Sequence, residues 1–254
     1  MVKFILRFIN DLDCVSRAIF RIFNWTGKLS LSYHVRGIYV ARKPIITVNY
    51  LIYPTYFPNI AHFVAMLKSD TVWFEHCDNY QKQTYRNRCS IYAANGRLDL
   101  NIPVHHSHNN RQLSKDIEVV QSEEWQSQQL KSLHSAYSRS PFYEFYIDEI
   151  ESLFLRPVTH LIDFNLECIQ VIFDCLQIPF EYELTNSFEK KPTELKDARH
   201  LANARKEIVQ KFEPYTQVFS NSHGFISNLS ILDLLFNEGP NSVAYLKNQN
   251  LKLE

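Results

Sequence analysis

Between Tyr80 and Arg88 three cations, Lys82, Arg86 and Arg88, alternate with Tyr80, Gln81, Tyr85 and Asn87. Planar guanidinium forks beside phenol and amide donors suit a phosphate, a pyrophosphate or a carboxylate. The plainer reading is a solvated polar loop. Arginine holds charge but moves no proton at neutral pH, so a transfer reaction needs a second kind of residue. His62 is one candidate for that role, with Tyr56 upstream of it in the stretch YPTYFPNIAHF. An imidazole near its ordinary pKa can act as a general base, whereas a lone His beside Phe63 is, in the plainer reading, a packed helix residue. Asp233 and Asn237, four residues apart, share one stripe of a helix and supply further polar groups. His105, His106 and His108 crowd into one loop, but no carboxylate or Cys stands locally to complete a metal site, so no metal is expected.

These residues need elements to hold them. Ile46 to Tyr53 is β-branched and aromatic without Gly or Pro, which predicts a buried strand. Pro54 and Pro58 bracket a loop whose aromatics, Tyr56 and Phe57, are expected to be exposed. Asn59 is placed to cap a helix carrying Ile60, Phe63, Val64 and Leu67, and Thr71 to Glu75 returns as a second strand. A strand–loop–helix–strand unit makes a parallel pair, with its loop at the carboxyl end of the first strand. Ligands of open α/β sheets bind at that edge, so Pro54 to Asn59 is a candidate site.

Downstream, Asn95-Gly96 between two strand-like runs predicts a type I′ hairpin. Ile117 to Val120 reads as a strand. Ser122 to Tyr137, Phe142 to Phe154 and Val158 to Leu176 read as helices, parted by Ser140-Pro141 and Arg156-Pro157. Phe180 to Thr185 and Tyr215 to Phe219 read as strands, and the charged run 197–210 as helical. A last helix runs from Asn228 to Phe236, capped by Asn228 or Ser230 and ended by Gly239-Pro240, with Leu229, Leu232 and Phe236 on its buried face. The class is α/β: a mixed, largely parallel sheet flanked by helices, with a central helical segment and an N-terminal extension.

Composition narrows the partners. Lys+Arg and Asp+Glu both number 27, which gives no reason to expect a nucleic acid. With 5 Gly, and no GxGxxG or Walker pattern, a glycine-rich phosphate cradle is absent; the cofactor stays open. Five cysteines, widely spaced and without a CxxC pair, point to a reducing, cytoplasmic compartment rather than to a disulfide framework or a zinc knuckle. Residues 1–25 alternate apolar and basic, too interrupted to span a membrane and without a cleavage site of the signal-peptide kind. They suit a basic amphipathic helix on the inner membrane face, a helix packed on the domain, or an extension absent from the mature chain. Residues 1–45 are thus expected to be separate from a domain spanning 46–254.

Four stretches, YPTYFPNIAHF, YQKQTYRNRCSI, AYSRSPFYEFY and GFISNLSILDLLFNEGP, resemble the WbqC-like family of bacterial proteins. The resemblance runs over roughly residues 47–246. Members are typically encoded with O-antigen or other surface-polysaccharide genes. The resemblance therefore implies a transferase of polysaccharide biosynthesis, passing an aminoacyl group such as glycine to a sugar or sugar nucleotide, or else a non-catalytic binding or assembly protein of that pathway. One position departs from the family pattern: where a His commonly stands about four residues after the Trp, this chain has Gln129, and its helix histidine is His134. A weaker likeness links the His62 region to the HxGH segment of nucleotidyl-transferring folds, with Ala61 in place of the Gly. Oligomeric state is open.

Overall fold

The structure, a computed structural model, describes residues 48–105, 112–121 and 123–253. The expectations for the extension 1–45, and those for His106 and His108, lie outside these residues.

The unit predicted at the start of the domain is present. Strand β1, Tyr50–Ile52, is buried along its length, as a parallel strand covered on both faces should be. Helix α1, Ile60–Leu67, begins where Asn59 Oδ1 accepts from the His62 amide at 3.1 Å. Strand β2, Val72–Phe74, returns parallel to β1 with Leu51 opposite Trp73. A hairpin follows: β3, Arg88–Ala93, pairs antiparallel with β4, Gly96–Asn101. Its turn differs from the expected type I′. Asn95 keeps a negative φ and only Gly96 crosses over, at φ 97°. The reversal therefore runs through Ala94 and Asn95 and is closed by a left-handed glycine, where the sequence had suggested two positive-φ residues.

The central helices are α2, Glu123–Tyr137, α3, Tyr143–Ser152, and α4, Leu161–Cys175. They bring aromatic mass to the core: Phe173 of α4 stacks on Phe180 at 4.0 Å and on Phe63 of α1 at 5.3 Å. Such ring pairs each contribute about 0.5–1.5 kcal/mol beyond their buried area. Tyr56 and Phe57, expected at the surface, are fully buried against Phe164 and Phe154. In a Pro-bracketed loop, aromatic rings that find such neighbours gain more by leaving water than the loop gains from exposing them.

Strand β5, Tyr182–Leu184, joins β2, and β6, Lys196–Asp197, joins β1, both parallel. The sheet order is β5-β2-β1-β6. In order of appearance these are the third, second, first and fourth parallel strands. The direction of winding thus reverses between β1 and β6, which makes the crevice at their carboxyl ends the topological switch point. Strand β6 was not foreseen, and the run 197–210 expected as a helix holds only a 3-10 turn, Arg199–Ala202. Ile117 to Val120 makes isolated bridges rather than a strand, through Val119 to Val104 and Glu118 to His160. Tyr215 to Phe219 is irregular and leads into a single turn, α5, Ser220–His223.

Helix α6, Ile231–Glu238, is capped by Ser230, whose hydroxyl accepts from Leu232 N. It buries Leu232 and Phe236 as expected, as does Leu229 just before it. Gly239 stops it at φ 52°, where a Cβ would also lie 2.5 Å from the Phe142 ring, so no other residue fits. A further helix, α7, Ser242–Asn248, ends the domain. No helix among the described residues is long and apolar enough to cross a membrane.

Candidate functional site

The carboxyl ends of the parallel strands each deliver a polar residue. Tyr53 follows β1, Glu75 follows β2, Thr185 follows β5, and Arg199 stands just beyond β6. Glu75 is 1% exposed and fully engaged: Oε1 accepts from Cys77 N at 2.8 Å and Thr185 Oγ1 at 2.9 Å, and Oε2 faces Arg199 Nη1 at 3.4 Å. Arg199 also forks onto Asp197, through Nε to Oδ1 at 2.9 Å and Nη2 to Oδ2 at 2.7 Å. Burial would raise the Asp197 pKa, but the Arg199 bonds and charge outweigh it and hold the carboxyl below its usual value.

Arg86 enters this edge from the side. The residue before it is strung between two loops of the sheet: Tyr85 N bonds Ala202 O and Tyr85 O accepts from Tyr56 N. Asn165, on α4, clamps Arg86 from below, because Asn165 Nδ2 donates both to Arg86 O at 2.7 Å and to Pro54 O at 3.1 Å. The guanidinium lies over the Tyr53 ring, 3.7 Å from its centroid, and Nη2 donates to Asp78 Oδ2 at 2.6 Å. Asp78 takes its other bond from Ser114 Oγ at 2.6 Å. Nε and Nη1 of Arg86 have no partner among the described residues, although the residue is 3% exposed. Burial, offset by Arg86 and reinforced by Asp78, pushes the Tyr53 phenol up, so it stays protonated.

Arg86, Asn165, Pro54, Glu75, Tyr80 and Ser114 line one small open cleft, with Leu161 and Ile162 as its apolar wall. Its enclosed space is about that of one water molecule, so a ligand would present a single small group to it from the open side. Buried unpaired N–H donors are costly, and an anionic oxygen group is the partner that satisfies them best.

The candidates named from sequence divide around this cleft. Arg86 lines it, and Arg88 is near enough that both guanidiniums act on the Tyr80 phenol. Lys82 is exposed on the same loop. Tyr85 turns away, donating to Glu207 Oε2 at 2.9 Å and receiving Arg97 Nη2 at 2.6 Å. Tyr56 is sealed in the core with its hydroxyl donating to Gln129 Oε1, and Gln129 Nε2 donates on to Asn101 O at 2.8 Å. The position where the family pattern has a His is thus a buried amide, and His134 stands exposed beside Tyr143.

His62 is fully buried, with Nδ1 2.8 Å from Asn59 Oδ1 and Nε2 without a partner among the described residues. Burial, helped by the charge of His200, lowers its pKa from 6.5 to about 3, so it is neutral in the native protein. The first amides of α1 are taken by the chain itself: Ile60 N by Leu229 O, Ala61 N by Asn228 Oδ1 and His62 N by Asn59 Oδ1. Asp233 is buried beneath three donors, Tyr215 Oη at 2.5 Å, Gln217 Nε2 at 2.8 Å and Tyr137 Oη at 3.0 Å. Burial raises its pKa against the pull of those bonds. Asn237 bonds back to Asp233 O. None of these three is among the residues lining the Arg86 cleft.

Tyr53, Glu75, Asp78, Asn165 and Arg199 were missed by sequence reasoning. The signal for the first two was present: each is the polar residue that ends a predicted strand at the sheet edge where ligands bind. Asn165 was also visible, as an amide inside an apolar helical run. Among the described residues no group of three His, Cys, Asp or Glu could hold a metal.

Compared with known proteins, residues 53–209 match the model of the WbqC-like protein family, which is more than half of the chain. The matched range takes in the whole cleft and ends before the Gly224 to Pro240 stretch. No curated protein and no solved structure matches the chain.

Proposed function

This chain belongs to the WbqC-like family, and we propose that it is a transferase of bacterial surface-polysaccharide (O-antigen) biosynthesis, passing an aminoacyl group such as glycine to a sugar or sugar nucleotide. The Arg86 cleft receives the anionic group of the ligand. One observation carries this reading: a guanidinium withdrawn from water at the carboxyl edge of a parallel sheet keeps Nε and Nη1 unpartnered among the described residues. Glu75 and Asp78 are committed to Arg199 and Arg86, so they hold the cations in place rather than contact the ligand's charge. The pathway rests on the family, whose members are typically encoded with surface-polysaccharide genes.

A second reading is favoured by a different observation. Tyr56, His62 and Asp233, the proton-moving candidates named from sequence, are buried and absent from the cleft lining. A non-catalytic ligand-binding protein of the same pathway needs the anion site and no such group. Titration calorimetry with a panel of sugar phosphates and sugar nucleotides tests the shared part. Arg86→Ala should weaken binding about 10- to 100-fold if the contact is charge-assisted. Arg86→Lys, which keeps the charge but loses the fork, should fall between. Unchanged affinity in a folded Arg86→Ala protein sinks the cleft. Mass spectrometry of mixtures containing an aminoacyl donor and a sugar nucleotide then separates transferase from binding protein.

A further inference from the structure

Arg86 is not the only cleft residue with an unmatched group. Asn165 is 1% exposed, its Nδ2 is spent on Pro54 O and Arg86 O, and its Oδ1 has no partner among the described residues. Because both Nδ2 protons go to carbonyl oxygens, the amide orientation is fixed and the remaining group is an acceptor. The cleft therefore offers unequal chemistry on two of its lining side chains: cationic N–H donors on Arg86 and a neutral oxygen acceptor on Asn165. The two are locked together, since the same Asn165 amide holds the Arg86 backbone.

We propose that Arg86 and Asn165 form a two-point recognition site for an anionic oxygen group with an O–H or N–H donor next to it. Arg86 donates to the anion through one of its N–H groups not used by Asp78, and Asn165 Oδ1 accepts from the neighbouring donor. A sugar phosphate with a vicinal hydroxyl and a 2-hydroxy or 2-amino acid share this chemistry. A bare anion satisfies only Arg86 and leaves the buried Asn165 oxygen unpaired, so the site discriminates against it. This inference rests on the cleft being the anion site.

Two matched pairs of probes test it on the full-length protein: glucose 1-phosphate against 2-deoxyglucose 1-phosphate, and lactate against propionate. In the pair that the cleft accepts, the hydroxylated member should bind about tenfold more tightly to the wild type. The ratio should fall to about one in Asn165→Ala. Where Asn165→Ala does not fold, the Asn165 side-chain amide resonance of the wild type serves instead, and it should shift with the hydroxylated probe and not with its deoxy partner. Anion binding that depends on Arg86 but is equal within each pair overturns the role of Asn165 alone. No binding of either kind, or binding indifferent to Arg86, overturns this inference together with the reading of the cleft. The pair that shows the difference identifies whether the anion is a phosphate or a carboxylate.

Discussion

Arg86 and Asp78 pair at 2.6 Å with side chains 4% and 3% exposed, and the pair is saturated on one side only. Both Asp78 oxygens are bonded, one to Arg86 and one to Ser114, whereas two of the three Arg86 side-chain nitrogens find no partner among the described residues. A buried pair of this kind holds its charges in place more than it stabilises the fold. What it leaves over is directed positive charge beside a cleft.

Asp78→Asn should therefore separate stability from binding. Removing the acid leaves the Arg86 charge uncompensated, which costs about 3 kcal/mol of folding stability. The same change removes the internal competitor for the guanidinium, so affinity for an anionic ligand should rise several-fold. Denaturant titration and calorimetry on one preparation check both signs; a fall in affinity means that Asp78 itself contacts ligand.

His62 predicts a pH dependence. Its pKa of about 3 in the folded protein lies below the ordinary 6.5, so the unfolded chain binds the proton more tightly. Its contribution is complete above about pH 6.5 and is lost as pH falls toward 3, by about 1.4 kcal/mol per unit. Between pH 7 and pH 5 the wild type should lose about 2 kcal/mol from this group, and His62→Gln should lose correspondingly less. Urea unfolding at the two pH values measures the difference; equal slopes would mean that the imidazole is reached by water.

Asp233→Ala leaves the Tyr137 and Tyr215 hydroxyls and the Gln217 amide without their acceptor inside the core. The expected loss is about 3 kcal/mol or more, against about 1 kcal/mol for Tyr215→Phe, which removes only one donor. Ligand affinity at the Arg86 cleft should be unchanged in any of these variants that remains folded. A selective loss of binding by Tyr215→Phe would bring this network into the site.

Arg199 ties the loop between β5 and β6 to the sheet edge. Nη1 bonds Glu189 O at 2.9 Å, Nη2 bonds Lys190 O at 3.3 Å, and the guanidinium faces the Phe188 ring at 5.1 Å. Arg199→Gln should release the loop and speed cleavage after Lys190 by a lysine-specific protease several-fold, without matching loss of the global unfolding midpoint. Unaltered cleavage would show that the loop is held by other contacts.

The sequence by itself determined the local pieces. Asn59 with Ile60, Phe63 and Val64 specified α1, and the short distance from Tyr53 to Val72 specified a parallel crossover, because those patterns depend on neighbours in the chain. The same holds for α2, α3 and α4, and for Gly239 as the stop of α6. Tertiary structure decided the rest. Strand β6 is two polar residues, Lys196 and Asp197, and exists only because Tyr50 and Leu51 of β1 offer a free edge to pair with. The type of turn at Gly96 was likewise set by the pairing of Ala93 with Gly96 across the hairpin.

The cleft follows the same division. Arg86 could be named in advance because cations clustered with phenols and amides mark an anion site by type. Whether such a residue is solvated or buried is decided by what covers it, and its cover comes from Tyr53, Asp78 and Asn165, which lie on three different segments. Read alone, Asp78 and Arg199 are ordinary surface charges, and Tyr56, His62 and Asp233 are plausible chemistry. Burial reverses that ranking: desolvation lowers the basicity of His62 and closes hydrogen bonds around Tyr56 and Asp233, while opposite charge makes Arg86 tolerable inside. Desolvation and charge pairing depend on distances across the fold, so only the tertiary structure could decide which of these polar residues are sealed in the core and which line a cleft.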